Sequence, residues 1–317
     1  MSPLSPAQRH RARVLQEQAQ AASPYGVELQ GDAYGLMRVK LSQDKTRLSQ
    51  VQSHERRAEM KARLLPEYFD WIATSLSTGK GAVDQVLTTL MVWAFDAGAY
   101  QLGLEIGRYV IGHRMAMADD YKRSPAAIVI DELANAYLKG QWSPLIVQLG
   151  GDGTRQLGPA PAAEDPALAR AQAAAVLIEA DSLTAEQDAP DQARAKLHKA
   201  IAYAALGKVQ TAEEPELSVI EPEALRLALA RLQRALELDS GAGVKKDIER
   251  VERALSKVGA ATSAQDQAAA PTLSTSPMSP TGEPEQPATA PPPPARKRAT
   301  STKPPKAPTA RKRAAAK

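Results

Sequence analysis

Four pairs of acids are the groups in this chain best suited to chemistry: Glu67 and Asp70, Asp84 and Asp96, Asp119 and Asp120, Asp131 and Glu132. Carboxylates that converge on a divalent cation activate water against a phosphodiester, usually with a Lys close by. None of these pairs comes with a Glu-x-Lys partner on a strand. Taken singly, each acid reads as a helix cap or a solvated face. The four His (His10, His54, His113 and His198) are scattered along the chain, so a His-Asn-His metal finger is absent. The string Ser77-Thr78-Gly79-Lys80-Gly81 invites a phosphate-loop reading and fails it. That pattern needs Gly where Thr74 stands, and Ser or Thr where Gly81 stands. The chain therefore carries no assigned catalytic, metal or cofactor-binding residue, and ATP chemistry belongs to a partner.

Basic residues point elsewhere. Residues 1–65 hold eleven Lys or Arg against six acids, and residues 296–317 hold nine basic residues and no acid. With a total of +4, residues 66–295 carry −10. Two basic ends around an acidic middle suit a polyanion partner. Arg296, Lys297, Arg298, Lys303, Lys306, Arg311, Lys312 and Arg313 form a tail that coats phosphates without choosing a sequence. Sequence reading is expected of the N-terminal helices, through Arg9, Arg11, Arg13, Arg38 and Lys40, since helices of that kind enter a major groove.

The elements that must position these groups are helical. Ser5-Pro6 starts a helix that ends near Ser23-Pro24. A longer one begins near Asp32, with Tyr34, Met37, Leu41, Leu48, Val51, Ala58 and Leu65 at near-heptad spacing, a core face or an oligomer contact. Tyr68, Phe69, Trp71 and Ile72 sit beside Leu64, Leu65 and Leu76 at helical spacing and read as core. Val83, Val86, Leu87, Leu90, Met91 and Ala94 make the first helix of a hairpin amphipathic. After the stop at Asp96-Ala97-Gly98-Ala99 the second places Leu102, Ile106, Tyr109, Val110 and His113 on one face. There Gly103 and Gly107 admit a close neighbour. A helix is expected over 125–138, a weaker one over 145–149, a loop over 150–166 and an Ala-rich helix over 167–180. From Asp191 a second hairpin is similar to a tetratricopeptide unit: Leu197, Ile201 and Ala204, the turn Ala205-Leu206-Gly207-Lys208, then Leu225, Leu229, Leu232 and Leu236. A last helix over 243–258 sets Val244, Ile248, Val251, Leu255 and Val258 at heptad spacing, and the chain is expected to self-associate into a homo-oligomer through the heptad-like faces of residues 34–65 or 244–258, with no membrane as partner.

Residues 259–317 contain twelve of the 24 Pro and no aromatic residue, too little apolar surface to offset ordering entropy, so order is expected to stop there. Two Phe and three Trp suit helices packed through Ala and Leu, and the absence of Cys excludes disulfides. No apolar signal core or membrane span is seen. The expectation is an all-α chain of paired helices with tetratricopeptide-like hairpins, long N-terminal helices and a disordered basic C-terminal tail. Its expected parts are 1–65 (basic helices), 66–150 (central hairpin), 151–190 (loop and Ala-rich helix), 191–258 (tetratricopeptide-like) and 259–317 (tail).

The string GKGAVDQVLTTLMVWAFDAGAYQLGLEIGRYVIGH resembles the middle of the small terminase subunit of peduovirus-type tailed phages. The opening SPAQRH and the later DQARAKLHK and GAGVKKDIERVERAL agree with that family, in its order, from Ser5 to about Leu255. The resemblance implies an endonuclease subunit that binds the packaging site on double-stranded phage DNA. It implies a large ATPase subunit as partner, Mg²⁺ required by the complex, and the cytoplasm of the bacterial host. The alternative is a helical-repeat scaffold with a nonspecific nucleic-acid-binding tail. An autonomous nuclease would need a metal site that the residues do not offer.

Overall fold

The computed structural model describes residues 6–23, 25–118, 121–151, 154–209 and 214–268, the last ten as backbone alone. Asp119, Asp120 and the basic tail from Arg296 to Arg313 lie outside the described residues. Eleven α-helices are described: α1 Pro6–Ala22, α2 Asp32–Ser49, α3 His54–Leu64, α4 Phe69–Thr78, α5 Gln85–Asp96, α6 Tyr100–Gly112, α7 Pro125–Leu138, α8 Pro166–Thr184, α9 Asp191–Leu206, α10 Pro222–Leu238 and α11 Lys245–Ala268. A 3₁₀ turn, Leu65–Tyr68, joins α3 to α4. No described helix is long and apolar enough to cross a membrane.

Two helices form the hubs. Every residue of α5 from Val86 to Phe95 is buried, because α6, α7, α3, α2, α4 and the 3₁₀ turn pack around it. It is apolar on all sides, not amphipathic, which is the pattern of an enclosed helix. Its N-cap is Asp84, whose Oδ1 accepts from Val86 N and Leu87 N at 2.9 and 3.0 Å. Against it, α6 comes close through Gly103, where a Cβ would stand 2.5 Å from the Phe95 ring. The second hub is α9, buried almost throughout its last half and packed by α7, α8 and α10. It ends at Gly207 in the left-handed conformation, φ 66°. Then α10 runs back antiparallel: Arg231 meets His198 midway, and Gly207 and Glu221 both sit at Arg170. Thus the hairpin is of tetratricopeptide kind, with a longer connection. At its connected end, just past Gly207, Asp247 of α11 accepts from Tyr203 Oη at 2.8 Å and Lys208 Nζ at 2.5 Å.

Four expectations are corrected. The long N-terminal helix is two helices, α2 and α3, broken at residues 50–53, so the heptad-like run from Tyr34 to Leu65 is not one seam. Residues 145–149 are a strand, β1 Leu145–Leu149, paired antiparallel with β2 Arg155–Pro159 inside the expected loop. A run of Leu, Ile, Val and Leu in five residues is too short for a helix and rich in branched side chains, so tertiary context decides it. Here Leu145 N donates to Gly98 O at 2.8 Å, which anchors the hairpin on the α5–α6 turn. The last helix continues past Gly259 to Ala268. Finally, Val244 and Val251 are buried within the chain and Ile248 and Leu255 pack on the same core, so that heptad face is spent internally.

Candidate nucleic-acid interface

The basic residues of α1 stand apart from the fold. Arg9, Arg11 and Arg13 are exposed on its first half, and only Gln16, Ala19 and Gln20 of the helix are buried. Its mooring is polar: Gln16 Nε2 donates to Trp71 O at 2.8 Å, and Gln20 Nε2 to Ser75 Oγ at 3.1 Å. Arg13 faces Glu17 one turn on, 3.4 Å away.

On α2 the two expected contacts divide. Arg38 is exposed and pairs with Glu28 at 3.2 Å. Lys40 is committed to the fold, 2.8 Å from Asp44 and 2.9 Å from Glu67, with its ammonium 4.2 Å over the Tyr68 ring. Asp44 is buried and also accepts from Tyr68 Oη at 2.6 Å and Arg47 at 3.1 Å. Burial, then the bond to Asp44, pushes the Tyr68 hydroxyl well above the usual phenol range.

Between α2 and α3 the chain turns in four residues. Gln50 N and Val51 N bond back to Arg47 O and Leu48 O at 3.3 and 3.1 Å, and Ser53 Oγ caps α3 by accepting from Arg56 N at 3.3 Å. The Arg57 guanidinium donates to Val51 O across the turn. α3 then leans on α5 and the 3₁₀ turn through Met60 and Leu64, with Lys61 paired to Asp96. Its opposite side faces solvent. Gln50, Gln52, His54 and Arg56 are exposed, and among the described residues nothing bonds their side chains. Sequence reasoning passed over them because the heptad-like spacing carried the helix straight through residues 50–53. The available signal was Ser53 three residues before Arg56, a helix start.

The candidate acids are dispersed. Asp70 pairs with Arg155 of β2, Asp96 with Lys61, and Asp131 and Glu132 share Arg123 at 3.0 and 2.9 Å. Asp84 lies beneath α5 with Trp71 Nε1 donating to it at 2.9 Å, and burial pushes its carboxyl up to about 6. The His residues are equally separate: His113 lies by the rings of Tyr25 and Tyr109, and His198 is buried beside Arg231, its imidazole pushed down by burial. Among the described residues no three His, Asp or Glu side chains gather as metal ligands. The Gly79–Gly81 string is a helix boundary. Gly81, at φ 79°, donates its N–H to Tyr109 Oη at 3.0 Å, and a Cβ there would meet Tyr25 and His113 at 2.6 Å.

Comparison with known proteins adds to this geometry. Residues 38–148 match the family model described as phage small terminase subunit. Over 252 residues, 79% of this chain and 85% of the relative, the sequence is 34% identical to the protein of Escherichia phage P2 named terminase, endonuclease subunit. No solved structure matches the chain.

Proposed function

The chain belongs to the phage small terminase subunit family, and from that premise we propose that it binds the packaging site on double-stranded phage DNA, docks the large ATPase subunit and directs the cut that starts packaging. The observation that carries this reading is the likeness to a terminase subunit along 85% of that relative. The name of the relative includes an endonuclease, and the cleavage is assigned here to the complex, with Mg²⁺ as its cofactor. Within this chain Asp70, Asp84, Asp96, Asp131 and Glu132 are each engaged by cations or N–H donors of the fold, which favours a directing role over a hydrolytic one. Self-association belongs to the same proposal. Most of both heptad-like faces is spent inside the chain, and Leu36 and Val39, exposed on α2, are among the apolar side chains left to meet a second copy.

The test incubates purified protein, Mg²⁺ and packaging-site DNA, with and without the large subunit, and follows capture of that subunit. Cleavage only by the pair supports direction, whereas cleavage by this chain alone overturns it. Deleting residues 296–317 is expected to weaken binding equally for packaging-site and unrelated duplexes. The nine basic residues of the tail cap its share of the salt slope near ~8, at about 0.9 per phosphate contact. An unchanged slope means that the tail does not touch DNA.

A further inference from the structure

The two strands of the hairpin have unlike outer edges. β2 is covered: it packs on the 3₁₀ turn and α3, Arg155 pairs with Asp70 and lies 5.7 Å from the Phe69 ring centre, and Pro159 has no N–H to offer. β1 is open. Its Ile146, Val147 and Leu149 are exposed, Leu149 by 76%, and residues 140–151 contain no charge. Soluble proteins guard such an edge with Lys, Pro or a covering element, and β1 has none of these among the described residues. The pairing fixes which groups point outward. Gly150 N donates to Thr154 O at 2.7 Å and Ala160 N to Pro144 O at 2.9 Å, so the main-chain groups of even-numbered β1 residues face β2 and those of odd-numbered ones face away. Of the odd ones, Leu145 donates its N–H to Gly98 O. Val147 and Leu149 remain, and among the described residues their N–H groups meet no acceptor. Leu145 and Leu157 lie on the same face of the sheet as these two and pack on the core. The free edge is thus held firm, with two apolar side chains as a ledge beside it.

We infer that β1 receives an extended, uncharged apolar segment of the large ATPase subunit as a third strand, bonded to the N–H and C=O of Val147 and Leu149. This rests on the proposed docking of that subunit and gives it an address. In strand addition the main-chain bonds supply affinity, and the places for alternate side chains supply choice. Size selects the occupant. A stable contact between two folded bodies covers roughly 800 Å² on each. One edge of five residues, with three apolar side chains exposed, falls well short of that. A second copy would need further surface to stay, whereas an extended segment needs only the edge. The absence of charge over residues 140–151 sets the chemistry of the segment. A charged side chain laid against Val147 and Leu149 would lose water and find no partner to replace it.

The test titrates the full chain with the purified large subunit and follows hydrogen exchange over residues 144–151. Addition of the large subunit is expected to slow exchange there by about tenfold or more. Val147→Pro with Leu149→Pro removes the outward donors and leaves the bonds to β2, because neither N–H is used there. Affinity is expected to fall by more than about tenfold. Leu149→Lys keeps both donors and puts a charge on an exposed position of the edge, for a loss of about threefold to tenfold. Val147→Thr keeps the donor and the branched shape and leaves affinity unchanged. Circular dichroism and melting check the fold, and Leu149→Lys decides the matter if the double Pro chain unfolds. A wild type that captures the large subunit, with Leu149→Lys capturing it equally well and no protection over 144–151, overturns the assignment to β1 and leaves the proposed function standing. A wild type that does not capture the large subunit overturns both. Unchanged capture, with a smaller assembly in light scattering for Leu149→Lys, also overturns the assignment and gives the edge to a second copy.

Discussion

Asp44 on α2 and Asp247 on α11 are separated by most of the chain, yet each sits among the same kinds of partner. Each accepts from a Tyr hydroxyl, Tyr68 at 2.6 Å and Tyr203 at 2.8 Å. Each faces a Lys whose ammonium lies over that same Tyr ring, Lys40 at 4.2 Å and Lys208 at 4.8 Å. Each Lys also reaches an outer Glu, Glu67 at 2.9 Å or Glu214 at 2.7 Å. The difference is in water and reach. Lys40 stands on α2 itself, one turn before Asp44, and its side chain is 30% exposed; Lys208 lies beyond the end of α9 and is 10% exposed. The first knot thus ties α2 to the 3₁₀ turn through a partly hydrated link, and the second locks three segments of the C-terminal core. A buried charge contributes in proportion to what its partner loses when left alone.

Removal of each carboxylate is the strongest way to break this comparison. Asp247→Ala leaves the nearly buried Lys208 with Glu214 alone and is expected to cost ~3 kcal/mol, whereas Asp44→Ala is expected to cost ~2 kcal/mol because the more exposed Lys40 can rehydrate. Urea midpoints at unchanged slope measure both. A loss at Asp44 equal to or greater than that at Asp247 shows that hydration does not distinguish the knots.

A third buried carboxylate sharpens the point, because Asp84 has N–H donors around it and no cation of its own. Its carboxyl, raised by burial to about 6, binds its proton more tightly folded than unfolded, where the ordinary value is 3.8. Stability from this group is therefore present at low pH and lost as pH rises through 6, by ~2 kcal/mol between pH 4 and 7. Asp84→Asn keeps the cap acceptor and is expected to remove that slope. A melting profile whose pH dependence survives the substitution places the titration elsewhere.

The smallest effect tests the two hydroxyls. Tyr203→Phe and Tyr68→Phe each remove one charge-assisted bond and leave the ring under its Lys, for ~1 kcal/mol apiece. Equal melting shifts mean that the Tyr bonds are alike and that the Lys environments make the difference. A larger loss for Tyr68→Phe would reverse that assignment.

Much of this architecture was legible, and the failures share a cause. Helix hairpins at α5–α6 and α9–α10 followed from apolar spacing and from Gly at their ends, and the aromatic cluster of Tyr68, Phe69, Trp71 and Ile72 is buried as its spacing implied. Spacing overreached at residues 50–53, where a heptad-like register continues across a turn because Val51 happens to fall in phase. It also missed β1, where five residues carry no period and Gly98 supplies the anchoring carbonyl from far along the chain. At the candidate interface, residue type alone ranked Lys40 with Arg38. Asp44 lies one turn along α2 and was visible as an i,i+4 partner, but Glu67 and Tyr68, which complete the occupation of Lys40, come from the 3₁₀ turn and no local pattern encodes them.

The segment between α1 and α2 is stitched to the segment before α5. Gly26 N donates to Gly81 O at 3.1 Å, Val83 N to Val27 O at 2.8 Å, and Leu29 N to Val83 O at 2.9 Å. These bonds close a loop of more than fifty residues, so the order of synthesis matters. While the ribosome is still making α3, the helices already outside have no Val83 to bind and no α5 to lean on. The α2–α3 pair therefore acquires its fixed place only once the chain has emerged through Asp84 and the first residues of α5. A nascent chain shorter than that would hold α2 and α3 without the core they lean on, so these helices are fixed in place together and not one by one.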